Sequence, residues 1–589
     1  MKYALISVAN KNRVEEMAHL LWSKGYVILS TGGTYEYLLG HAKIPALLAR
    51  ISEFTNADEL LNGRVKTLHP KVYAGILANR RPEETIMELI DVIVVNLYPF
   101  KETISREDHT EEEAIENIDI GGVSLLRAGA KNYKHVLTVV DPNDYFIIKR
   151  NWDTIDSSVR RYYAGKTFEY VTKYDMAISE YYNKNLVHRS YEKVDDLKYG
   201  CNPHQTGSVY KQNKTGSFPF KVLNGSMGYI NYLDAILSWQ LVSELSAALG
   251  TVCCASFKHN APAGVGTGRQ ISKQLRKAYM IDNGQKLSDE GCAYIRARQT
   301  DPMSSFGDFV AMSTIVDEDV AKLIKKEVSD GIIAPGYTEK ALELLMTKKR
   351  GQYIIVQAVE TDPSDAMVSA SLMEYRELYD IVLGQSRNIG DCSRLCPEQI
   401  VTQNKNAEPH NMDDLVIASV AAKYTPSNSV VFAYDGQVIG VGSGQQNRVD
   451  CVRLAASKAE TWFLRQHPAC TALMLKPELK RQNRVNAIVS YIRTQRFSEH
   501  ELAHWTNNFI DQPSPLTADM KNEFMDNVRG VAVSSDGFFP FRDSIDECSK
   551  YGVSFIVQPG GSVADADVTH ACDQYGMVMF CSGLRLFSH

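Results

Sequence analysis

Apolar residues fall along this chain in two alternating patterns, short continuous runs and spacings of three to four, which predict strands joined by helices. Residues 3–8 form an apolar run with β-branched members, the pattern of a buried strand. Asn10 or Asn12 can cap the helix that follows. There Val14, Met17, Ala18 and Leu21 share one face, and Gly25 ends the pattern. Residues 26–29 predict a second strand, then Ser-Thr-Gly-Gly-Thr at 30–34 opens another helix. DVIVVN at 91–96 predicts a third strand, Thr110 and Glu113 spell a capping box, and 136–140 predict a strand stopped by Asp141-Pro142. Alternation of this kind means parallel strands with crossover helices.

Residues 184–198 are polar with little periodicity and read as a linker. A boundary near residue 193 gives domains 1–193 and 194–589, the second long enough to be subdivided. Beyond it, residues 251–257 predict a strand delivering Lys258-His259 into an Ala-Pro-Ala-Gly turn. Residues 429–434 and 437–441 flank Asp435-Gly436, a hairpin signal, and 531–534 and 554–557 predict further strands. No short-period repeat is visible; a degenerate duplication after residue 200 would escape such a reading.

Composition narrows the class. With 44 % hydrophobic and 23 % charged residues over 589 positions, the chain has the material of a folded protein, not a disordered one. A net charge of -6 argues against a nucleic-acid surface but leaves room for a local basic phosphate pocket. Eleven cysteines without a CxxC pair read as free thiols in a reducing compartment. No apolar run reaches the length of a membrane span, and the first residues lack a signal-peptide pattern. A cytosolic protein without membrane contact is expected.

Several short motifs carry chemistry. Thr31-Gly32-Gly33-Thr34 lets the backbone approach an anion at a helix start, although a plain strand-to-helix turn uses the same residues. Arg64-Val65-Lys66-Thr67-Leu68-His69-Pro70 concentrates cations, as a phosphate loop or a solvated one. Asn96-Leu97-Tyr98 ends a strong strand, where open parallel sheets bind ligands, and Asp119-Ile120-Gly121 opens a helix ending at Lys131. Lys258-His259 pairs a proton acceptor with a cation able to steady an oxyanion. His500-Glu501-Leu502-Ala503-His504 matches the HExxH zinc pattern without a convincing third ligand, and Ser498 reads as a surface-helix cap. GVGTG at 264–268 and GVGSG at 440–444 lack the remaining features of a dinucleotide site.

From Ser7 to Phe587 the chain resembles the bifunctional AICAR transformylase/IMP cyclohydrolase family of purine biosynthesis. The resemblance rests on an ordered series: TGGT, GRVKTLHP, NLYPF, IDIGG, LLRAGAKN, YGCNPHQ, SFKHNAPAG, MSSFGDF, SDGIIAPGY, KYTPSNSV, GQVIGVGSGQQNR, SSDGFFPFRDSID and RLF. It implies an α/β chain: a methylglyoxal-synthase-like parallel-sheet domain, then a transformylase region of two cytidine-deaminase-like subdomains without the deaminase zinc. It implies a cyclohydrolase site of Ala9, Asn10, Lys11, Thr31, Gly32, Gly33, Thr34, Arg64, Val65, Lys66, Thr67, Asn96, Tyr98, Asp119, Gly121 and Lys131. Lys66 and Lys131 would move protons there, with Tyr98 and Asp119 holding the geometry. For formyl transfer, Lys258, His259 and Asn428 would act at the chemistry, and Lys198, Tyr199, Gly307, Asp330, Arg448, Phe538, Arg585 and Phe587 would hold AICAR. Met303, Val449, Asp543, Ser562 and Val563 would meet 10-formyltetrahydrofolate, a co-substrate. No tightly bound cofactor and no metal are implied. The implied assembly is a homodimer with shared transformylase sites.

Two positions depart from the family pattern. Lys198 stands where arginine is usual, which keeps the charge but loses a bidentate grip. Ser544 replaces an asparagine. Two other readings remain at this level: a regulatory ribotide-binding protein retaining one activity, and a zinc hydrolase built on His500 and His504.

Overall fold

A computed structural model describes the chain apart from residues 43–46, 62, 82–87, 213–217, 283, 360–372 and 494–496. Two compact units emerge, Met1–Ser190 and Tyr191–His589.

The first unit is built on five parallel strands: β1 (Lys2–Val8), β2 (Tyr26–Ser30), β3 (Leu48–Arg50), β4 (Ile90–Asn96) and β5 (Leu137–Val139). Their order is β3-β2-β1-β4-β5. The apolar runs read from the sequence are the central strands, buried on both faces between two apolar layers. The first helix, Val14–Ser23, presents Val14, Met17, Ala18 and Leu21 to one of them. Its cap differs from expectation. The N-cap residue is Arg13 in the left-handed region, and Asn10 instead turns back to accept the Asn12 amide at 2.9 Å. The Thr110–Glu113 capping box is present.

The second unit opens with β6 (Tyr191–Leu197) and β7 (Gly207–Gln212), an isolated antiparallel ribbon. The expected linker thus contains a strand, and residue 193 lies inside it. With nearly every β6 residue exposed, no apolar alternation marked it.

The main sheet holds eleven strands: β8 (Phe220–Asn224), β9 (Cys253–Lys258), β10 (Ala261–Thr267), β11 (Asp308–Met312), β12 (Ser329–Ala334), β13 (Ile354–Ala358), β16 (Val430–Tyr434), β17 (Gln437–Gly442), β18 (Val531–Ser535), β19 (Val553–Gln558) and β20 (Val578–Cys581). A separate exposed hairpin supplies β14 (Met373–Leu378) and β15 (Ile381–Ser386).

The sheet order, β20-β19-β18-β16-β17-β10-β9-β11-β12-β13-β8, reveals a duplication. β9 pairs antiparallel with β10 and β11, then β12 and β13 follow in parallel. β16 repeats this with β17, β18, β19 and β20. The helix Tyr229–Leu249 precedes the first hairpin and Pro409–Lys423 the second, and these two share one face of the sheet. Asp289–Thr300 and Arg448–Leu464 follow the hairpins and share the other.

The paired GVG segments now have a structural reason. A Cβ on Gly264 would stand 2.1 Å from the Ala297 carbonyl, and one on Gly440 would stand 2.2 Å from that of Ala455. These glycines let a helix lie directly on a central strand.

Candidate functional sites

In the first unit the chain winds outward from β1 to β3 and then restarts at β4, beside β1. The carboxyl ends of β1 and β4 diverge at this switch point, where doubly wound sheets form a crevice. Ala9, Asn10 and Lys11 leave β1 there and Asn96 ends β4. The Asn10 amide donates to Asn96 Oδ1 at 2.9 Å, and Asn96 Nδ2 donates to the Asn10 carbonyl at 2.9 Å.

Next to it, Thr31 precedes the helix Gly32–His41. The Thr34 hydroxyl is engaged with both the amide and the carbonyl of Val8, and Thr31 meets Ser7 at 3.0 Å. A Cβ on Gly33 would find open space, so the amide end of this helix stands accessible to an anion. Lys11 Nζ reaches Thr34 Oγ1 at 3.3 Å, and its pKa is lowered by burial and by nearby Lys66.

Leu60 and Val65 exchange backbone hydrogen bonds that close the loop carrying Arg64. Arg64 pairs with Glu116. A Cβ on Gly121 would lie 2.7 Å from Thr67 Oγ1, so this loop abuts the start of the helix Gly121–Lys131. Asp119 accepts the amides of Gly122 and Tyr98. Burial raises its carboxyl, against the pull of those amides and of Lys66.

Lys131 closes the helix that Gly121 opens, ten residues and about 15 Å from it along the axis, and it is exposed.

In the second unit, Lys258 and His259 occupy a different local structure from the one expected. Ala261–Thr267 is a strand, and the turn is His259-Asn260 itself, with φ of 54° and 60°. Two positive φ values between paired Lys258 and Ala261 make a type I′ hairpin. Lys258 Nζ donates to the Phe306 carbonyl, which places Met303 and Gly307 on the neighbouring loop, and Asp330 pairs with Lys349.

A second group surrounds Asp536. Arg448 pairs with this carboxylate, the Ser427 hydroxyl donates to it at 2.6 Å, and the Leu586 amide donates to its carbonyl. A Cβ on Gly537, next to Phe538, would lie 2.7 Å from both Arg448 Nη2 and Phe587 Cε1. The Arg585 guanidinium stacks over the Phe587 ring at 4.9 Å. Asn428 sits alongside, its Oδ1 buried without a hydrogen-bond partner among the described residues.

β9 ends and β16 begins at the same end of the sheet, three strand spacings or about 14 Å apart. Within one chain, Lys258-His259 and Asn428-Arg448 are therefore two separate groups. Val449 continues from Arg448, and Ser544 is buried with its hydroxyl donating to Asp543 at 3.2 Å. The Ser562 amide is held by Asp565, and Val563 is fully exposed. Lys198 lies over the Tyr199 ring at 6.0 Å, and among the described residues no hydrogen bond or ion pair ties it to either group.

A family model described as AICARFT/IMPCHase bienzyme matches residues 129–458, more than half of the chain, and an MGS-like domain model matches 13–124. The chain belongs to the AICARFT/IMPCHase bienzyme family. This is a family of bifunctional purine-biosynthesis enzymes, and the parallel sheet of the first unit is its MGS-like domain. Among solved structures, the crystal structure of ForH is similar at 27 % identity, covering 32 % of this chain and 100 % of its own, with a TM-score of 0.29.

The HELAH segment lies on a capped helix. Glu501 closes a capping box with Ser498 on the helix Glu499–Thr506, and among the described residues no third ligand joins His500 and His504. No described helix is long and apolar enough to cross a membrane. The feature least visible beforehand was Asp234, a buried carboxylate that accepts the Asn260 amide at 2.8 Å. Its only sequence signal was an acidic residue in an otherwise apolar helical stretch.

Proposed function

We propose that the bienzyme transfers a formyl group from 10-formyltetrahydrofolate to the 5-amino group of AICAR in its second unit, and closes the product to IMP in its first. The cytosol suits its free cysteines. The observation that carries the reading is His259. A histidine is held on a type I′ turn at positive φ, beside a lysine whose ammonium reaches across to the Phe306 loop. Such backbone conformations concentrate at functional sites.

The aromatic amine of AICAR is a poor nucleophile, so its proton must leave as the nitrogen attacks the formyl carbon. His259 takes that proton, and Lys258 steadies the negative charge developing on the formyl oxygen; the bond from the formyl carbon to the folate N10 then breaks, and the imidazolium returns the proton to N10 of the departing tetrahydrofolate. Asn428 Oδ1 is a buried acceptor lacking a donor among the described residues, and the substrate amine supplies one. Because the two half-sites are apart in one chain, a homodimer completes them. The exposed apolar run Ile381, Val382 and Leu383 on β15, 63 %, 55 % and 57 % accessible, offers surface for a second copy.

Ring closure is intramolecular. The carboxamide nitrogen attacks the neighbouring formyl carbon and water departs, so the site has only to orient two groups and move protons. The Gly32-Gly33 turn, Lys11 and Arg64 suit the ribotide phosphate. Lys66 is the lysine placed for proton transfer, with Asp119 holding Tyr98 and Gly122 in register.

The test crosses two variants with two assays. His259→Ala is expected to abolish formyl transfer and keep closure of supplied formyl-AICAR, and Lys66→Ala the reverse. Equal damage to both reactions by either variant overturns the two-site reading.

A further inference from the structure

The duplication supplies an internal comparison for the His259 turn. In each half, the sixth residue of the helix preceding the hairpin is a buried aspartate: Asp234 in Tyr229–Leu249 and Asp414 in Pro409–Lys423. Each holds the hairpin turn of its own half. Asp414 does so with both oxygens, accepting the Asp435 amide at 2.9 Å and the Gly436 amide at 2.8 Å. Asp234 uses one oxygen only, on the Asn260 amide at 2.8 Å. Its other oxygen has no hydrogen-bond partner among the described residues, and His259 occupies the position that Asp435 fills in the second half.

That carboxylate is close to the histidine. Its bonded oxygen is 2.8 Å from the nitrogen that follows the His259 carbonyl carbon, hence no more than about 5 Å from the His259 Cα. An imidazole spans such a gap. We propose that Asp234 is the positioning residue of formyl transfer: its free oxygen takes one imidazole N–H of His259 and turns the other ring nitrogen to the substrate amine. The proton leaving the amine then goes to that second nitrogen, and the imidazolium formed is steadied by the carboxylate. The first half has kept the turn-holding carboxylate of the duplicated fold and released half of it for chemistry. This inference rests on reading His259 as the base of formyl transfer.

The charged groups that act on this pair come from the strands packed on the Tyr229–Leu249 helix. Lys258 precedes His259 on β9, Asp308 of β11 is paired with Arg298, and Asp330 of β12 is paired with Lys349. Burial raises the Asp234 carboxyl, and the Asn260 amide that it accepts and the nearby His259 oppose that shift.

The experiment uses Asp234→Asn in the whole 589-residue chain. The asparagine oxygen still accepts the Asn260 amide, so the turn keeps its hold and only the charge is lost. The rate of formyl transfer from 10-formyltetrahydrofolate to AICAR is followed against pH by ultraviolet absorbance. Loss of the anion makes the imidazole easier to deprotonate. The acid limb of kcat is therefore expected to move to lower pH by about 1, with the plateau reduced about tenfold. Asp414→Asn, the internal control, is expected to leave limb and plateau where they are. A limb and plateau unchanged in Asp234→Asn, with His259→Ala inactive, overturn the proposal alone. Formyl transfer surviving in His259→Ala overturns the underlying reading. If Asp234→Asn proves unstable, Asp234→Glu decides: it restores the charge, so a limb at the wild-type pH supports the proposal and one shifted as in an uncharged site overturns it.

Discussion

Asn10 and Asn96 hold one another across the switch point of the five-stranded sheet, each donating one hydrogen bond at 2.9 Å. The pair fastens the loop after β1 to the end of β4, so the residues on both sides of the crevice move as one piece. Asn96→Ala removes both bonds and is expected to cost the first unit about 2 kcal/mol. Its effect on function should be selective. The KM for closure of formyl-AICAR rises about tenfold or more as the loops separate, while formyl transfer is untouched. Thermal melting and the two separate assays check this. An unchanged KM would show a fastening that serves stability only.

Gly440 meets the Arg448–Leu464 helix backbone more closely than any side chain allows, with a Cβ position 2.2 Å from the Ala455 carbonyl and 3.0 Å from the Ala459 nitrogen. Its own φ is not in the left-handed region, so the constraint is steric alone. Gly440→Ala is expected to destabilise the second unit by about 3 kcal/mol or more, because backbone cannot yield as a side-chain tip can. Soluble yield and melting temperature read the loss. A variant as stable as the parent would mean that the helix can lift off the strand at no cost.

What was legible beforehand follows from how each feature is buried. DVIVVN gave its strand away because both faces of β4 are covered, and Asp435-Gly436 showed its turn because glycine marks a positive φ. The equivalent turn at His259-Asn260 carried no glycine, and the Ala-Pro-Ala-Gly that follows mimicked a loop. Pro262 is tolerated within β10 because that strand meets β17 at a single residue pair, Gly266 with Gln437, leaving its nitrogen no ladder partner to miss. β6 was hidden by exposure on both sides. The helix from Gly121 to Lys131 was legible from its start at Asp119-Ile120-Gly121 and lies where it was read. The duplication escaped the sequence because its halves share few residues: GVGTG and GVGSG each looked like a failed nucleotide motif, and only the strand order pairs them.

Gly33 gives the opposite case to Gly440. A Cβ there meets nothing within 4 Å, and its φ is unremarkable for a helix start. Gly33→Ala is expected to leave the melting temperature unchanged or to raise stability by up to about 1 kcal/mol, since alanine is the better helix former. The same methyl would stand over the amide end proposed for the ribotide phosphate. The KM for ring closure should therefore rise while kcat holds. No change in KM would move the phosphate seat away from this turn.

Asp414 links the fold of the second unit to pH. It is buried, and burial pushes its carboxyl up to about 6 despite the Gly436 and Asp435 amides that it accepts. Unfolded, it returns to the ordinary value of 3.8. A folded pKa above the unfolded one means that the folded unit binds the proton more tightly. The stabilising contribution is therefore complete below about pH 4 and is lost as pH rises through about 6. A carboxyl raised from 3.8 to about 6 on folding corresponds to a loss on the order of 3 kcal/mol between those limits. Asp414→Asn removes the titration while keeping one oxygen for the turn. Relative to the parent, it should gain in melting temperature as pH is raised from about 3.5 to about 7, the range that brackets the loss. Parallel pH dependences for the two proteins would place the Asp414 carboxyl at its ordinary value and remove the linkage.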